Sequence, residues 1–357
     1  MRKELTFVVP SYNMEMFLPK CLESLGIDQL RKETTVEGGT LADFLEVIVV
    51  NDGSQDSTSV VAHQFERRFP EVVRVIDKTN GNYGSCVNVA LQVATGRYIR
   101  MLDADDYLET NELAKYLRFV LSLDGGADLV VNDYDEIEST GKVFRVMKFM
   151  LPSNNLFPMD LLVKSNEMLG NYSIAYRREI LIKMGYCQSE GISYTDTEWH
   201  TLPMLYVATV SYRPGVLMHY LIERNGQSME AERFIRNINM LEQIARRLIR
   251  DFENCRNMVP QAGAIYAGKR ILALLQLIYT MVLVGYKGIR AKFDLLGFDR
   301  WLKSTSREFY DEMENQTWFT KCPFHYVAEW RRHHTDRTWR YCLFRIVLKM
   351  CKILAIK

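Results

Sequence analysis

Two hydrophobic periods alternate over the first hundred residues, and this alternation restricts the folds open to the chain more than any other feature. Short apolar runs rich in β-branched residues, typical of strands buried on both faces, are separated by stretches whose apolar residues recur every three or four positions. This pattern predicts a βαβ sheet with mostly parallel strands. The predicted strands are 5–9, 45–50, 72–76 and 98–102.

The rest of the chain divides into two regions of different pattern. Less regular strands are predicted at 128–131, 143–149, 209–212 and 216–220. From Ala231 onward no strand is predicted, and apolar residues from Phe234 to Phe252 keep helical spacing for five turns. The uncharged stretch 271–286 is shorter than a membrane-spanning helix, so it predicts the buried centre of a helical bundle.

Length and charge narrow the class of protein. A chain of 357 residues suggests about two domains, and 48% apolar with 25% charged residues excludes a largely disordered protein. With 45 basic and 44 acidic side chains the net charge is only +1, which provides no field to attract nucleic acid. No nucleic-acid partner is therefore expected.

Cysteine usage and the N-terminus indicate where the protein works. Seven cysteines, an odd number with no CxxC pair, argue against a disulfide framework and a Cys-rich zinc site. The N-terminal residues contain no apolar stretch followed by a small-residue cleavage site, so no signal peptide is predicted. A reducing, cytoplasmic location is expected.

Polar residues follow three of the predicted parallel strands, at 11–13, 51–54 and 103–106. In open α/β sheets ligands bind outside the carboxyl ends of the strands. These three turns therefore predict one site at one edge of the sheet.

The acidic turn Asp103-Ala104-Asp105-Asp106 is the first candidate for chemistry. Two carboxylates two positions apart can face a divalent cation and a diphosphate, because Mg²⁺ and Mn²⁺ combine one or two carboxylates with phosphates and water. The alternative is that these acids cap the helix beginning near Thr110. The preceding buried strand favours the cation site.

The other two turns are ambiguous when each is taken alone. Asn51-Asp52-Gly53 is a common tight turn, and Pro10-Ser11-Tyr12-Asn13 could simply end a strand and pack an aromatic ring. Together they offer a ring that stacks on a nucleobase and a carboxylate that accepts its imide N–H. Their joint occurrence favours a nucleotide site.

At this point the sequence resembles a known family. The blocks VVPSYNMEMFLPKCLESL, VIVVNDGSQDST and NGNYGSCVNVALQVATGRYIRMLDADDYL are similar, in order, to those of the family-2 inverting glycosyltransferases. Weaker similarity continues through YTDTEW at 194–199 and HYLIERNGQSM at 219–229. The resemblance implies a GT-A fold, with a mostly parallel central sheet flanked by helices. It does not cover the last 120 or so residues, whose hydrophobic pattern predicts an all-helical C-terminal region. The predicted domains are a catalytic domain at 1–228 and a helical domain at 229–357.

The resemblance also implies roles for individual residues. Tyr12 would stack on the base, Asp52 would accept a hydrogen bond from it, and Asp105 would ligate Mn²⁺ or Mg²⁺ at the diphosphate. Asp103 would contact the ribose or the water shell of the metal. The full set of implied donor-binding residues is Pro10, Tyr12, Asn13, Asp52, Asn80, Gly84, Asn88, Asp103, Arg224 and Ser228. A side chain at Gly84 would push the ligand away, while the parts played by Ser85 and Cys86 are open.

Asp196 matches the family's catalytic base, although Asp196 or Thr195 could instead cap the helix that begins here. Glu198, two residues further on, faces elsewhere on a helix and is a secondary candidate. The segment from Arg224 to Ser228 resembles the family's closing segment over the diphosphate, or else is an interdomain turn.

The implied reaction is inverting, hexosyltransferase-type transfer from a nucleoside diphosphate sugar, favouring UDP, to a hydroxyl of a saccharide or lipid-linked acceptor. The rival is a catalytically silent nucleotide-sugar-binding or scaffold protein, which the joint presence of Asp103, Asp105 and Asp196 disfavours. A nucleotidyltransferase would need a basic Gly-rich loop after the first strand, and a dehydrogenase would need GxGxxG there; neither is present.

The C-terminal segment 339–357 contains no acid and places Arg345, Lys349 and Lys352 on one helical stripe beside a broad apolar face. Such a helix is typical of a membrane interface, here the inner face of the cell membrane. It could equally pack on the helical bundle or on a second subunit of a homo-oligomer, and the pattern leaves both interpretations open.

Overall fold

The computed structural model describes residues 1–153, 155–222, 231–285, 289, 292–317, 324–343 and 345–346. The chain forms two compact units, the first made of Met1–Gln227 and Met258–Tyr266 and the second of Ser228–Asn257 and Ala267–Lys357. The predicted domain boundary at 228/229 lies outside the described residues, so that boundary stays a prediction.

The four strands predicted first are all present and parallel, in the order β3-β2-β1-β4. They are β1 (Leu5–Ser11), β2 (Leu45–Asn51), β3 (Val73–Asp77) and β4 (Tyr98–Met101). Every residue of β2 is buried, which explains its uninterrupted apolar run. In the register Ser11 lies beside Asn51 and Asn51 beside Asp77, so β1, β2 and β3 end at the same level.

Six further strands make the sheet mixed rather than parallel throughout. They are β5 (Tyr107–Leu108), β6 (Leu129–Ile137), β7 (Val143–Met147), β8 (Leu156–Pro158), β9 (Ile174–Arg177) and β10 (Thr209–Leu221). The sheet continues from β4 through β9, β6 and β10 to β5, with β7 paired to β6 and β8 to β10. Strand β9 is antiparallel to both of its neighbours, β4 and β6.

The prediction of two separate strands at 209–212 and 216–220 was wrong, because β10 runs through both. Its pairing with β6 shifts register between Arg213 and Val216 and again between Val216 and Met218. Pro214 and Gly215 lie in the first irregularity. Pro214 has no N–H to donate to the neighbouring strand, and Gly215 has a positive φ of 132°, so both residues fit a bulge.

Helices flank this sheet in the first unit, and their apolar sides are buried. They are α1 (Leu18–Glu23), α2 (Ile27–Leu30), α3 (Thr58–Arg68), α4 (Asn82–Val93), α5 (Thr110–Ser122), α6 (Met159–Ser165), α7 (Arg178–Lys183) and α8 (Asp196–Trp199). Short 3₁₀ helices cover Leu41–Phe44, Asn171–Ser173 and Pro203–Tyr206. Helix α4 contacts β1 and β2 and buries Val87 and Ala90.

The described part of the second unit contains helices and no strand, which confirms the predicted helical C-terminal region. The helices are α9 (Ala231–Cys255), α10 (Gln261–Leu283, whose first residues belong to the first unit), α11 (Leu295–Thr305), α12 (Arg307–Asn315) and α13 (Tyr326–His333). The predicted stripe from Phe234 to Phe252 on α9 is buried.

Helix α10 contains most of the apolar stretch 271–286, and it is the one described helix long and apolar enough to cross a membrane by length and composition. One such helix is weak evidence for a span, because the core helices of soluble proteins have the same length and composition.

Most of the C-terminal segment 339–357 lies outside the described residues, including Lys349 and Lys352. In the described part the Arg345 guanidinium forms an ion pair with Asp336 of the same unit. The side chains of Trp339, Leu343 and Ile346 are exposed.

Candidate active site

The structure brings the polar turns after β1, β2 and β4 to one edge of the sheet. The N–H of Asp52 donates to the Ser11 carbonyl at 2.8 Å, and the N–H of Leu102 donates to the Val8 carbonyl at 2.9 Å. The turn after β3 joins them, because the N–H of Lys78 donates to the Asn51 carbonyl at 3.0 Å. Parallel strands that end together therefore present four loops side by side.

Asp52 is buried, and its Oδ1 accepts hydrogen bonds from Lys78 Nζ at 2.7 Å and from the Gly81 N–H at 2.9 Å. The Asn80 side-chain amide donates to the Asp52 carbonyl at 3.0 Å. Asn80 thus holds the loop that carries Asp52. The turn after β3 provides both the cation and the backbone donor that stabilise this buried carboxylate.

Sequence reasoning missed Lys78, although it follows the third parallel strand as the other turns follow theirs. Its Nζ also donates to Ser85 Oγ at 2.8 Å, which shows that Ser85 anchors the lysine. Burial, and to a lesser extent the nearby Asp52 charge, raises the pKa of the Cys86 thiol to about 12. Cys86 is therefore a protonated packing residue.

The turn after β1 is tied to the turn after β2. Asn13 has a left-handed backbone at φ 54°; its N–H donates to Ser54 Oγ at 3.0 Å and its side-chain oxygen accepts from the Gln55 N–H at 2.8 Å. Beside it the Tyr12 ring is 46% exposed at the sheet edge, and Pro10 is partly buried. Tyr12 is thus partly accessible to solvent at the end of β1.

Gly84 and Asn88 of α4 both face the loop 188–191. Asn88 forms a reciprocal pair with Gln188, donating to its carbonyl at 2.9 Å and accepting from its N–H at 2.7 Å. A Cβ at Gly84 would lie 2.0 Å from the Ser189 carbonyl oxygen. The space predicted to be kept for a ligand is therefore occupied by protein backbone, and a donor contact at these two positions stays a prediction.

Glu198 of α8 fastens the same loop from the other side. It is fully buried, and its carboxylate accepts from the Ser189 N–H at 2.7 Å and from Ser189 Oγ at 2.6 Å. The Gly191 N–H donates to the Gly81 carbonyl at 2.8 Å. Glu198 thus faces the loop, and its carboxylate holds the loop against α8.

Asp196 is the first residue of α8 and is partly buried. Thr195 occupies the N-cap position but makes no side-chain capping hydrogen bond, so its side chain is not the helix cap that the sequence allowed. Tyr194 before it has φ 69°, an uncommon conformation for a residue with a side chain, and such residues cluster at active sites.

Tyr83 of α4 contacts the acidic turn. Its hydroxyl donates to Asp103 Oδ1 at 3.0 Å and accepts from the Asn171 side-chain amide at 3.3 Å. Burial, followed by the negative charges of Asp103 and Asp196, raises the pKa of the Tyr83 hydroxyl well above its ordinary value. Tyr83 therefore connects the first turn of α4 to the acidic turn after β4.

An aromatic pair borders the acidic turn on another side. Tyr172 and Tyr220 stack with ring centroids 4.0 Å apart. The N–H of Leu221, the next residue, donates to Asp106 Oδ1 at 2.9 Å, which places this end of β10 beside the acidic turn. Burial raises the pKa of Tyr220, and the charges of Asp106, Asp103 and Asp105 raise it further. Tyr220 belongs to the block HYLIERNGQSM; Arg224 and Ser228, further along that block, lie outside the described residues.

Among the described residues, no group of three or more His, Cys, Asp or Glu side chains is arranged to hold a metal ion. Asp103 and Asp105 nevertheless provide carboxylate oxygens, the ligand type that Mg²⁺ and Mn²⁺ prefer. Two protein carboxylates suit a cation whose remaining positions are filled by substrate phosphates and water.

The sequence profile of the family described as "Glycosyl transferase family 2" matches residues 6–185, just over half of the chain. The chain belongs to this family. The matched segment contains the four parallel strands, Asp52 and the acidic turn, and it ends before Asp196.

Similar proteins include bacterial glycosyltransferases. The poly(ribitol-phosphate) beta-glucosyltransferase of Bacillus spizizenii is 25% identical over 242 residues, which cover 63% of this chain and 33% of that protein. The uncharacterized glycosyltransferase EpsJ of Bacillus subtilis is 36% identical over 105 residues, covering 29% of this chain and 27% of that protein. The chain thus spans about a third or less of the length of these two relatives.

Among solved structures, residues 1–349 of TarS from S. aureus in complex with UDP-GlcNAc match with a TM-score of 0.62 and 17% identity. The match covers 86% of this chain and 82% of that chain. This likeness concerns the fold, and with the family match it shows that the protein has the GT-A fold.

Proposed function

We propose that this family 2 protein is an inverting glycosyltransferase that moves a sugar from a nucleoside diphosphate sugar, favouring UDP, to an acceptor hydroxyl. The observation that carries the proposal is that both elements with the predicted carboxylates are tied to helix α4. Tyr83 of α4 donates to Asp103, and the loop 188–191, which Glu198 of α8 holds, is hydrogen-bonded to Asn88 of α4. A donor-side carboxylate and a second carboxylate on a separate element are what a one-step displacement needs.

The donor nucleotide binds along the turns after β1, β2 and β3. The exposed Tyr12 ring stacks on the base, and Asp52 accepts the imide N–H of uracil. Lys78 and the Gly81 N–H hold that carboxylate in place. The TarS complex with UDP-GlcNAc supports a UDP donor. Pro10, Asn13, Asn80, Gly84 and Asn88 support this pocket.

Asp105, with Asp103 near the ribose, would hold Mn²⁺ or Mg²⁺ against the diphosphate. When bound, the cation would neutralise the negative charge that grows on the leaving diphosphate. Arg224 and Ser228 are proposed to close over the same phosphates with a guanidinium and a hydroxyl. This metal dependence is part of the proposal.

Asp196 acts as the general base. Its carboxylate accepts the proton of the acceptor hydroxyl as that oxygen attacks the anomeric carbon from the face opposite the diphosphate. The bond between the anomeric carbon and the diphosphate oxygen breaks, and the nucleoside diphosphate leaves with the electron pair. General-base assistance of this kind contributes roughly 10² to 10⁴ in rate.

The acceptor is proposed to be a saccharide, a lipid-linked saccharide or a precursor of a cell-surface polymer, made at the cytoplasmic face of the membrane. The Bacillus spizizenii relative, named for a poly(ribitol-phosphate) acceptor, supports this class. The division into a catalytic domain at 1–228 and a helical domain at 229–357 belongs to the same proposal.

The test is a panel of nucleotide sugars incubated with the protein and Mn²⁺, with release of nucleoside diphosphate as the readout. One donor should be hydrolysed or transferred, and Asp196→Asn should lower that rate by roughly 10² or more while UDP affinity stays near wild type. Donor binding without any turnover would instead indicate a silent nucleotide-sugar-binding protein. Turnover that survives Asp196→Asn would place the base elsewhere.

A further inference from the structure

Tyr83 makes two hydrogen bonds at the centre of the site, and their directions are decided by chemistry. The Asn171 side chain is buried, and its amide nitrogen, 3.3 Å from the Tyr83 oxygen, can only donate. The Tyr83 oxygen therefore accepts on that side. Its own proton is directed to Asp103 Oδ1, 3.0 Å away.

This arrangement links three separate elements of the fold. Tyr83 is the second residue of α4, Asp103 follows β4, and Asn171 begins the 3₁₀ helix before β9. A carboxylate on a turn has several rotamers of similar energy, and a hydrogen bond from a buried hydroxyl favours one of them. Asn171 restrains the hydroxyl, and the hydroxyl restrains Asp103.

We infer that Tyr83 is a positioning residue of the donor site: its hydroxyl orients the Asp103 carboxylate for the incoming nucleoside diphosphate. The inference rests on the proposed function, because it takes Asp103 as a donor-binding residue. Tyr83 acts through Asp103 and needs no contact with the sugar or the phosphates.

The experiment measures UDP binding by the full chain in Mn²⁺ with calorimetry. Tyr83→Phe removes only the hydroxyl and should weaken UDP binding roughly tenfold, the loss typical of a hydrogen bond to a charged group. The binding stoichiometry should stay unchanged, whereas a merely structural defect would lower the fraction of competent protein and leave the dissociation constant as it was.

A matched control is Tyr98→Phe on β4. Tyr98 is fully buried, and its hydroxyl donates one hydrogen bond, to the Ala127 carbonyl at 3.0 Å, at the opposite end of the strand from the acidic turn. Tyr98→Phe should bind UDP like wild type. If Tyr83→Phe stays within about twofold of this control, the inference is overturned.

A double-mutant cycle with Asp103→Ala separates this inference from the proposed function. In the Asp103→Ala background, Tyr83→Phe should have no further effect; additive losses would overturn the inference alone. If Asp103→Ala itself binds UDP like wild type, Asp103 is not part of the donor site, and both the inference and the proposed donor site are wrong. If Tyr83→Phe does not fold, Asn171→Ala replaces it in the experiment. Asn171→Ala removes the donor on the other side of the Tyr83 hydroxyl and should also weaken UDP binding; unchanged affinity would overturn the inference.

Discussion

Replacing Lys78 by methionine would leave the buried carboxylate of Asp52 without its ammonium partner. Lys78 Nζ and Asp52 Oδ1 are 2.7 Å apart, and the two side chains are 18% and 4% exposed. Methionine keeps most of the apolar stem of lysine and removes the charge. Of the two donors to Asp52 Oδ1, only the Gly81 N–H would remain.

The size of the effect follows from this burial. Removing one partner of a fully buried ion pair costs about 3 to 5 kcal/mol, because the other charge stays buried and uncompensated. Lys78 is partly accessible to water, so solvent can replace some of the lost interaction. We expect Lys78→Met to lower the free energy of unfolding by about 2 kcal/mol.

Urea unfolding followed by circular dichroism measures this change, with Lys32→Met as the matched control. Lys32 is exposed, and its substitution should change the free energy of unfolding by less than about 0.5 kcal/mol. The double variant Asp52→Asn with Lys78→Met should recover part of the lost free energy of unfolding, because it also removes the unpaired buried charge of Asp52. The reasoning is refuted if Lys78→Met matches the control, or if the double variant is no more stable than Lys78→Met.

Two further substitutions and one deletion test other parts of the site and the C-terminus. Asp105→Ala should abolish Mn²⁺-dependent UDP binding measured by calorimetry without changing the unfolding midpoint, because a turn carboxylate adds little to the core; unchanged affinity would contradict the metal assignment. Glu198→Ala leaves two donors of Ser189 without their acceptor, so it should lower the free energy of unfolding in urea by about 2 to 4 kcal/mol. It should also lower kcat with little change in UDP affinity. An equal loss of UDP affinity would show that the 188–191 loop serves the donor instead. Deleting 339–357 should release the protein from anionic liposomes in flotation assays and leave UDP binding intact. If the full chain does not bind liposomes, or if the truncated chain misfolds, this segment belongs to protein packing.

The parallel half of the sheet could be predicted from the sequence because its signals are local. A strand buried on both faces needs an uninterrupted apolar run, and the polar turn that follows it can be recognised without knowing its contacts in the fold. Strands β5, β8 and β9 could not be found in this way. They have two to four residues each, too few to show a period, and only pairing with distant strands makes them strands.

The tertiary structure decided which polar residues act on one another. Lys78 meets Asp52 from the next strand along the sheet, and Asn88 meets Gln188 from across a hundred residues of sequence. Whether a polar side chain faces a ligand or another part of the protein depends on where the fold brings its partner. Gly84 shows this difference: the sequence predicts a position without a side chain, and only the folded chain shows that the carbonyl of Ser189 requires it.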